Sequence, residues 1–306
     1  MSDKTGIVWT EATWNPTTGC DKVSPGCDHC YALRMARRLK AMGNPKYQRD
    51  GDPRTSGPGF AVTVHPDVVH LPLRWRTPRR VFVNSMSDLF HPRVSDEWLV
   101  HIFAVMAVAR QHTFQVLTKR SPRARTLLGD DRFAAAVRDR TAGKTKHPEL
   151  LPWQWPLPNV WHGVTVEGRE QYRRLDDLIQ TPAAVRWVSA EPLLDWLDLR
   201  PWLWLTGPST AGPWYDHAGR YRGGGGIGGQ AISSVPSGDI HWVVTGGESG
   251  PGARPADPVW FRDIRDQCAE AEVAYLHKQN GGRAADKGGR ELDGVIHDAY
   301  PAGGQR

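Results

Sequence analysis

Cys20, Cys27 and Cys30 lie within eleven positions, in the stretch GCDKVSPGCDHCYALRMARRLK, and the rest of the 306-residue chain holds one further cysteine, Cys268. A chain so poor in cysteine that gathers three of its four, the last two as C-x-x-C before a helix-like run, uses them to hold something. The options are a metal ion, an iron-sulfur cluster or a disulfide. Three thiolates are one short of a closed tetrahedral zinc site. His29 offers a fourth ligand, but it sits between Cys27 and Cys30 in a hairpin whose flanking thiols already point at the metal. Three thiolates do match a four-iron cluster with one iron left open for a substrate or cofactor. Spacing alone favours the cluster and leaves zinc open. Cys268 falls on the apolar face of a helix pattern and reads as core packing.

A second group of candidates follows the apolar runs. VFVN leads into SMSDLF, FQVLT into KR, VWHGVTV into EGRE, VRWVS into AEP, IHWVVT into GGES and VAYLH into KQNGG. In a parallel α/β fold the carboxyl ends of all strands open on one side. One rim then gathers Asn84, Ser85, Ser87, Asp88, Lys119, Arg120, Thr165, Glu167, Ser189, Glu191, Gly246, Gly247, Glu248, Ser249, Lys278 and Gln279. Strand ends are ordinarily polar, but six successive ends of this kind suit an active-site mouth better than a solvated edge.

The elements that must position these groups are legible from periodicity. Short apolar or β-branched runs at 60–64, 81–84, 114–118, 160–166, 185–189, 240–245 and 273–277 read as buried strands. Between them lie helix patterns: one from a capping Ser95 that puts Trp98, Ile102, Val105 and Ala109 on one face, one with Tyr172, Leu175 and Ile179, and one with Trp260, Ile264, Cys268 and Ala271. Strand alternating with helix predicts a single α/β domain over residues 1–306, a partial (β/α) barrel of mostly parallel strands. Residues 143–159, rich in proline and tryptophan, read as a connecting loop, and residues 206–238, with their GGGGIGG core, as a mobile insertion.

Composition narrows the setting. No apolar run follows the opening MSDKTG and no stretch of eighteen apolar residues occurs, so neither a signal peptide nor a membrane span is expected and the chain reads as cytoplasmic. In a reducing compartment clustered cysteines bind metal or do redox chemistry rather than cross-link the chain. The net charge of +6 admits an acidic partner such as nucleic acid, with basic clusters at Arg34, Arg37, Arg38 and Lys40, at Arg74, Arg76, Arg79 and Arg80, and at Lys119, Arg120, Arg123 and Arg125.

The blocks WTEATWNPTTGCDKVSPGCDHCYALRMARRL, VFVNSMSDLFHP, FQVLTKR, VWHGVTVE, WVSAEPLL, WVVTGGESGPGARP and LHKQNGG resemble the phage-associated three-Cys-motif family, itself similar to radical S-adenosylmethionine enzymes. The resemblance runs from Ile7 to about Gly282. It implies a radical-SAM-like barrel, a [4Fe-4S] cluster on Cys20, Cys27 and Cys30, S-adenosylmethionine on the open iron, and an external electron donor. It implies reductive cleavage of that cofactor to a 5′-deoxyadenosyl radical, with a nucleic-acid base as a candidate substrate. By position it assigns cofactor binding to Asn84, Ser85, Ser87 and Asp88, with Asp88 as partner of the methionine ammonium, or simply as a cap on the next turn. Glu191 and Glu248 become acceptors for ribose or substrate, or else salt-bridge partners. Gly246 and Gly247 let backbone approach a ligand or make a turn, and Lys119 and Lys278 neutralise a carboxylate or phosphate. One departure stands out: such enzymes usually space their cysteines C-x3-C-x2-C with an aromatic residue before the last, whereas this chain has C-x6-C-x2-C with His29 in that place. The rival reading is a metal- or cluster-stabilised nucleic-acid-binding protein without catalysis.

Overall fold

The computed structural model describes residues 5–144, 153–203 and 240–301. In chain order the first half contains β1 (Ala12–Trp14), β2 (Thr17–Thr18), α1 (Tyr31–Ala41), β3 (Thr63–Val64), β4 (Arg80–Val83), α2 (Asp96–Val108), β5 (Thr113–Thr118), α3 (Ser121–Leu128) and α4 (Asp131–Ala142). The second half adds β6 (Val160–Thr165), α5 (Arg173–Ile179), β7 (Val185–Ala190), α6 (Arg200–Leu203), β8 (Trp242–Gly246), α7 (Pro258–Glu270), β9 (Ala274–Gln279), β10 (Glu291–Leu292) and β11 (Val295–Ile296).

Seven strands form one sheet in the order β1-β4-β5-β6-β7-β8-β9, every neighbouring pair parallel. Each new strand is added on the same side of the last. With right-handed crossovers that order sends every connecting helix to one face, and the twisted sheet curls away from them. The result is a curled half-barrel.

Alternation along the strands sorts the two faces. Outward residues such as Val81, Val83, Phe114 and Val116 pack under α2, α3 and α4, and Val164, Val188 and Val243 pack under α5 and α7. Inward residues Trp161, Trp187 and Trp242 meet Trp9 on the concave side. Trp187 lies 5.3 Å from the ring of Trp9 and 5.2 Å from that of Trp242. Gly163 makes this plug possible, because a Cβ there would fall 2.5 Å from the Trp187 ring. Indoles therefore fill the amino-terminal half of the concave face, leaving the carboxyl-terminal half to polar groups.

Several expected elements form as read. Ser95 caps α2 by accepting from the Trp98 amide at 3.2 Å, and Asp257 caps α7 by accepting from the Val259 amide at 2.9 Å. Cys268 is buried on the inner side of α7, and burial pushes its thiol pKa up. The strand expected at 60–64 does not join the main sheet. Only Thr63–Val64 is extended, pairing antiparallel with β2 in a small ladder, while Phe60 turns into a satellite core with Ala36, Tyr47 and Met86. The first strand of the half-barrel is instead the three-residue β1, too short to show a period. Helices α3 and α4 add to the helices expected from periodicity, and the expected insertion at 206–238 lies outside the described residues.

Candidate functional site

The cysteine loop and the end of β4 are built as one unit. Gly19 bridges Ser87 in parallel, its amide donates to the Met86 carbonyl at 2.9 Å, and Ser87 Oγ donates to the Thr17 carbonyl at 3.0 Å. Asn15 exchanges hydrogen bonds with Ser85 at 3.2 Å. Gly19 has φ +87°, and a Cβ there would lie 2.1 Å from the Ala61 carbonyl oxygen, so glycine is required where the chain turns into Cys20. Asn84, Ser85, Ser87 and Asp88 are thus brought against the start of the cysteine loop.

Two carboxylates from distant strands clamp the far side of that loop. Glu167, beyond β6 and only 1% exposed, accepts from Ser24 Oγ at 2.7 Å and Arg174 Nη1 at 2.8 Å and pairs with Lys119 Nζ. Burial works to raise its pKa, but the charges of Lys119 and Arg174 hold it below the ordinary range. Gly26 packs directly on it: a Cβ would lie 2.4 Å from Glu167 Oε1. Glu248, beyond β8, accepts from His29 Nδ1 at 2.8 Å, from the Arg254 amide at 2.9 Å and from Arg254 Nη2 at 2.7 Å. Arg254 Nη2 also donates to the Pro25 carbonyl at 2.8 Å. Arg34 of α1 donates to the Ser249 carbonyl at 3.0 Å, tying the helix after Cys30 to the same strand end.

The three thiols are free and half-buried, with Cys20 and Cys30 packed against the satellite core. Arg120 Nη2 lies 3.8 Å from Cys20 Sγ and donates to the Asp21 carbonyl at 3.0 Å. Burial, then the nearby Asp88 carboxylate, pushes the Cys20 thiol up to about 12, against the pull of Arg120. Such a thiol keeps its proton until a metal displaces it. Among the described residues no three His, Cys, Asp or Glu side chains converge on one point as a single metal ion requires. A cubane cluster makes a different demand, since each of its thiolates binds a different iron.

The remaining expected site residues fall into distinct roles. Asp88 accepts from Thr118 Oγ1 at 2.7 Å, the Phe90 amide at 3.0 Å and the Lys119 amide at 2.9 Å, and so locks the end of β5 to its own loop. Glu191 lies 2.8 Å from Lys278 Nζ and accepts from Ser189 Oγ at 3.2 Å. The space beside Gly246 is filled by Glu191 and that beside Gly247 by the Asn280 carbonyl, whose oxygen would be 2.0 Å from a Cβ there. Both glycines admit protein, not open space. Asn84 differs from all of these. It has φ 64°, is 3% exposed, and neither its side-chain oxygen nor its nitrogen has a hydrogen-bond partner. A buried amide left unpaired costs free energy, and here it coincides with left-handed backbone at a strand end.

The sequence assigns no role to Ser24 or Arg254, and offers His29 only as a fourth metal ligand and Arg34 only as part of a basic cluster. Their signal is weak, because each also meets a group more than a hundred residues away, although the Arg254–Glu248 pair is local. Among the described residues no helix is long and apolar enough to cross a membrane. No curated protein and no solved structure matches the chain. Residues 4–301 match the family described as protein of unknown function (DUF5131), and the chain belongs to that family.

Proposed function

We propose that this protein is a radical S-adenosylmethionine enzyme that holds a [4Fe-4S] cluster on Cys20, Cys27 and Cys30. One observation carries the reading: three free, half-buried thiols of a single loop sit at the carboxyl end of a parallel half-barrel, paired through Gly19 and Ser87 to the strand end that bears the orphaned Asn84 amide. The chemistry supplied when cluster and cofactor are bound is one-electron reductive cleavage of the sulfonium, with the electron coming from an external donor.

The chain's own residues then have definite tasks. Glu167 and Glu248 fix the loop, so that the thiols keep their positions when metal is absent. Arg120 offers a charged donor to the sulfur of Cys20 and offsets the negative charge that a thiolate-bound cluster brings. Asn84 carries one donor edge and one acceptor, suited to the carboxylate and ammonium of an amino acid. That role passes to Asn84 because Asp88 already accepts three bonds. The tryptophan plug closes the barrel from below and keeps water from that side.

A second reading, a metal-pinned binding protein without catalysis, is favoured by the pairing of Glu167, Glu191 and Glu248 with Lys119, Lys278 and Arg254. Anaerobic reconstitution separates the two. The enzyme reading expects brown protein with about four irons per chain, a reduced-cluster electron paramagnetic resonance signal that changes when S-adenosylmethionine is added, and release of 5′-deoxyadenosine. Colourless protein carrying one zinc, or a full cluster with no response to the cofactor, overturns it.

A further inference from the structure

The three basic clusters of the sequence have different fates. Arg120 and Arg123 donate to backbone carbonyls, Arg125 pairs with Asp177, and Arg79 and Arg80 lie over the rings of Trp75 and Tyr300. These are internal contacts. On α1, Arg34 donates to the Ser249 and Pro251 carbonyls and Lys40 pairs with Asp50, whereas Arg37 and Arg38 are exposed. A cleft of about 180 Å³ opens between α1, the cysteine loop and residues 53–57, and Cys30 and His29 form part of its wall. Its cations are Lys22, Arg34, Arg37 and Arg54, drawn from three separate segments. Its one carboxylate, Asp28, is already 3.6 Å from both Lys22 and Arg254. Arg37 and Arg54 are exposed and have no carboxylate partner among the described residues.

Tyr31 does not line the cleft but follows its wall residue Cys30 directly in sequence, and at 59% it is the most exposed aromatic ring among the described residues. Excess positive charge around a narrow cleft, with an unburied aromatic ring one residue on from its wall, suits a single nucleic-acid strand: cations track the phosphates and a ring stacks a base. We infer that the cleft walled by Lys22, Arg34, Arg37 and Arg54 binds the phosphodiester backbone of single-stranded nucleic acid, with Tyr31 stacking a base beside Cys30. The inference rests on the proposed enzyme reading only for what happens to that base; strand binding itself needs no cluster. A free phosphate would be served by two cations, whereas four on three segments suit a chain of phosphates.

Fluorescence anisotropy with a labelled single-stranded oligonucleotide tests this on the full-length protein, with and without reconstituted cluster, over a series of salt concentrations. Wild type should bind in both states. Arg37→Ala with Arg54→Ala should weaken binding at least about tenfold and flatten the log–log salt slope by about 1.4, at about 0.7 per lost phosphate contact on a single strand. Arg37→Glu with Arg54→Glu should abolish binding, and Tyr31→Ala should weaken it without changing the slope. All three changes lie on exposed side chains, so circular dichroism and melting should stay at wild-type values. Unchanged affinity in the double variants overturns the inference, as does tight binding of inorganic phosphate or a mononucleotide with none of the oligonucleotide. Failure to form a cluster would leave the strand-binding result standing and remove only the enzyme reading.

Discussion

His29 Nδ1 donates to Glu248 at 2.8 Å across 219 positions of sequence, which fastens the middle of the C-x-x-C hairpin to the end of β8. Cys27 and Cys30 flank a residue whose ring is already held, so the two thiols inherit a fixed backbone. A ligand role for His29 would fall to Nε2, because Nδ1 is engaged by the carboxylate. The relationship turns the cysteine loop from an appendage into part of the rim, and it sets the first expectations for mutation.

Glu248→Ala removes the acceptor for His29 and leaves Arg254 without its carboxylate. Truncating one partner of a hydrogen-bonded charge pair costs about 2–4 kcal/mol. Chemical denaturation of the metal-free protein should show that loss, and iron retained after reconstitution should fall with it. A variant with wild-type stability and full iron would show that the clamp does not hold the loop.

The same carboxylate gives a pH dependence. Burial works to raise the Glu248 pKa, but the hydrogen bonds from Arg254 and His29 outweigh it and hold the group down at about 2, against 4.5 in an unfolded chain. A depressed acid stabilises fully above its unfolded pKa and loses that contribution as pH falls toward the folded one. The stability advantage of wild type over Glu248→Gln should therefore be constant near neutrality and shrink below about pH 4.5. An advantage that grows on acidification contradicts the assignment.

Gly26→Ala places a methyl 2.4 Å from a carboxylate held by Ser24, Lys119 and Arg174. Glu167 has no room to yield, so overpacking of about 1–3 kcal/mol is expected, together with a displaced loop and reduced iron content. Gly6→Ala is the matched control, since nothing lies within 4 Å of its added Cβ. Equal melting temperatures for the two variants would count against the close packing of loop and strand end.

Asn84→Gly and Asp88→Ala should part company. Glycine keeps the left-handed backbone of Asn84 and deletes an amide that has no protein partner, so the metal-free protein should lose less than about 1 kcal/mol, while response to S-adenosylmethionine weakens about ten- to a hundredfold. Asp88→Ala strands the Thr118 hydroxyl and two amides and should cost about 2–3 kcal/mol even without cofactor. If Asn84→Gly binds the cofactor as wild type does, Asn84 is not its partner.

Each of Cys20→Ala, Cys27→Ala and Cys30→Ala should abolish iron-sulfur absorbance, whereas Cys268→Ala should keep it and lose only packing. Full iron in a Cys27→Ala protein would defeat the three-thiolate assignment.

Apolar runs of four to seven residues with a polar residue after each are local facts, and they set the parallel half-barrel and the membership of its rim. Ser95 and Asp257 announce their helices because a cap acts within three residues. What the rim residues do was not legible in the same way. Glu191 meets Lys278, Glu248 meets His29 and Glu167 meets Ser24 only because the sheet brings the ends of β7 and β9 together and those of β6 and β8 over one loop. Asp88 and Asn84 stand four positions apart with similar side chains, yet one is saturated by its neighbours and the other is orphaned. Periodicity records which face a residue takes. Whether a buried polar atom finds a partner depends on chain segments far away in sequence, and only the tertiary structure decides that.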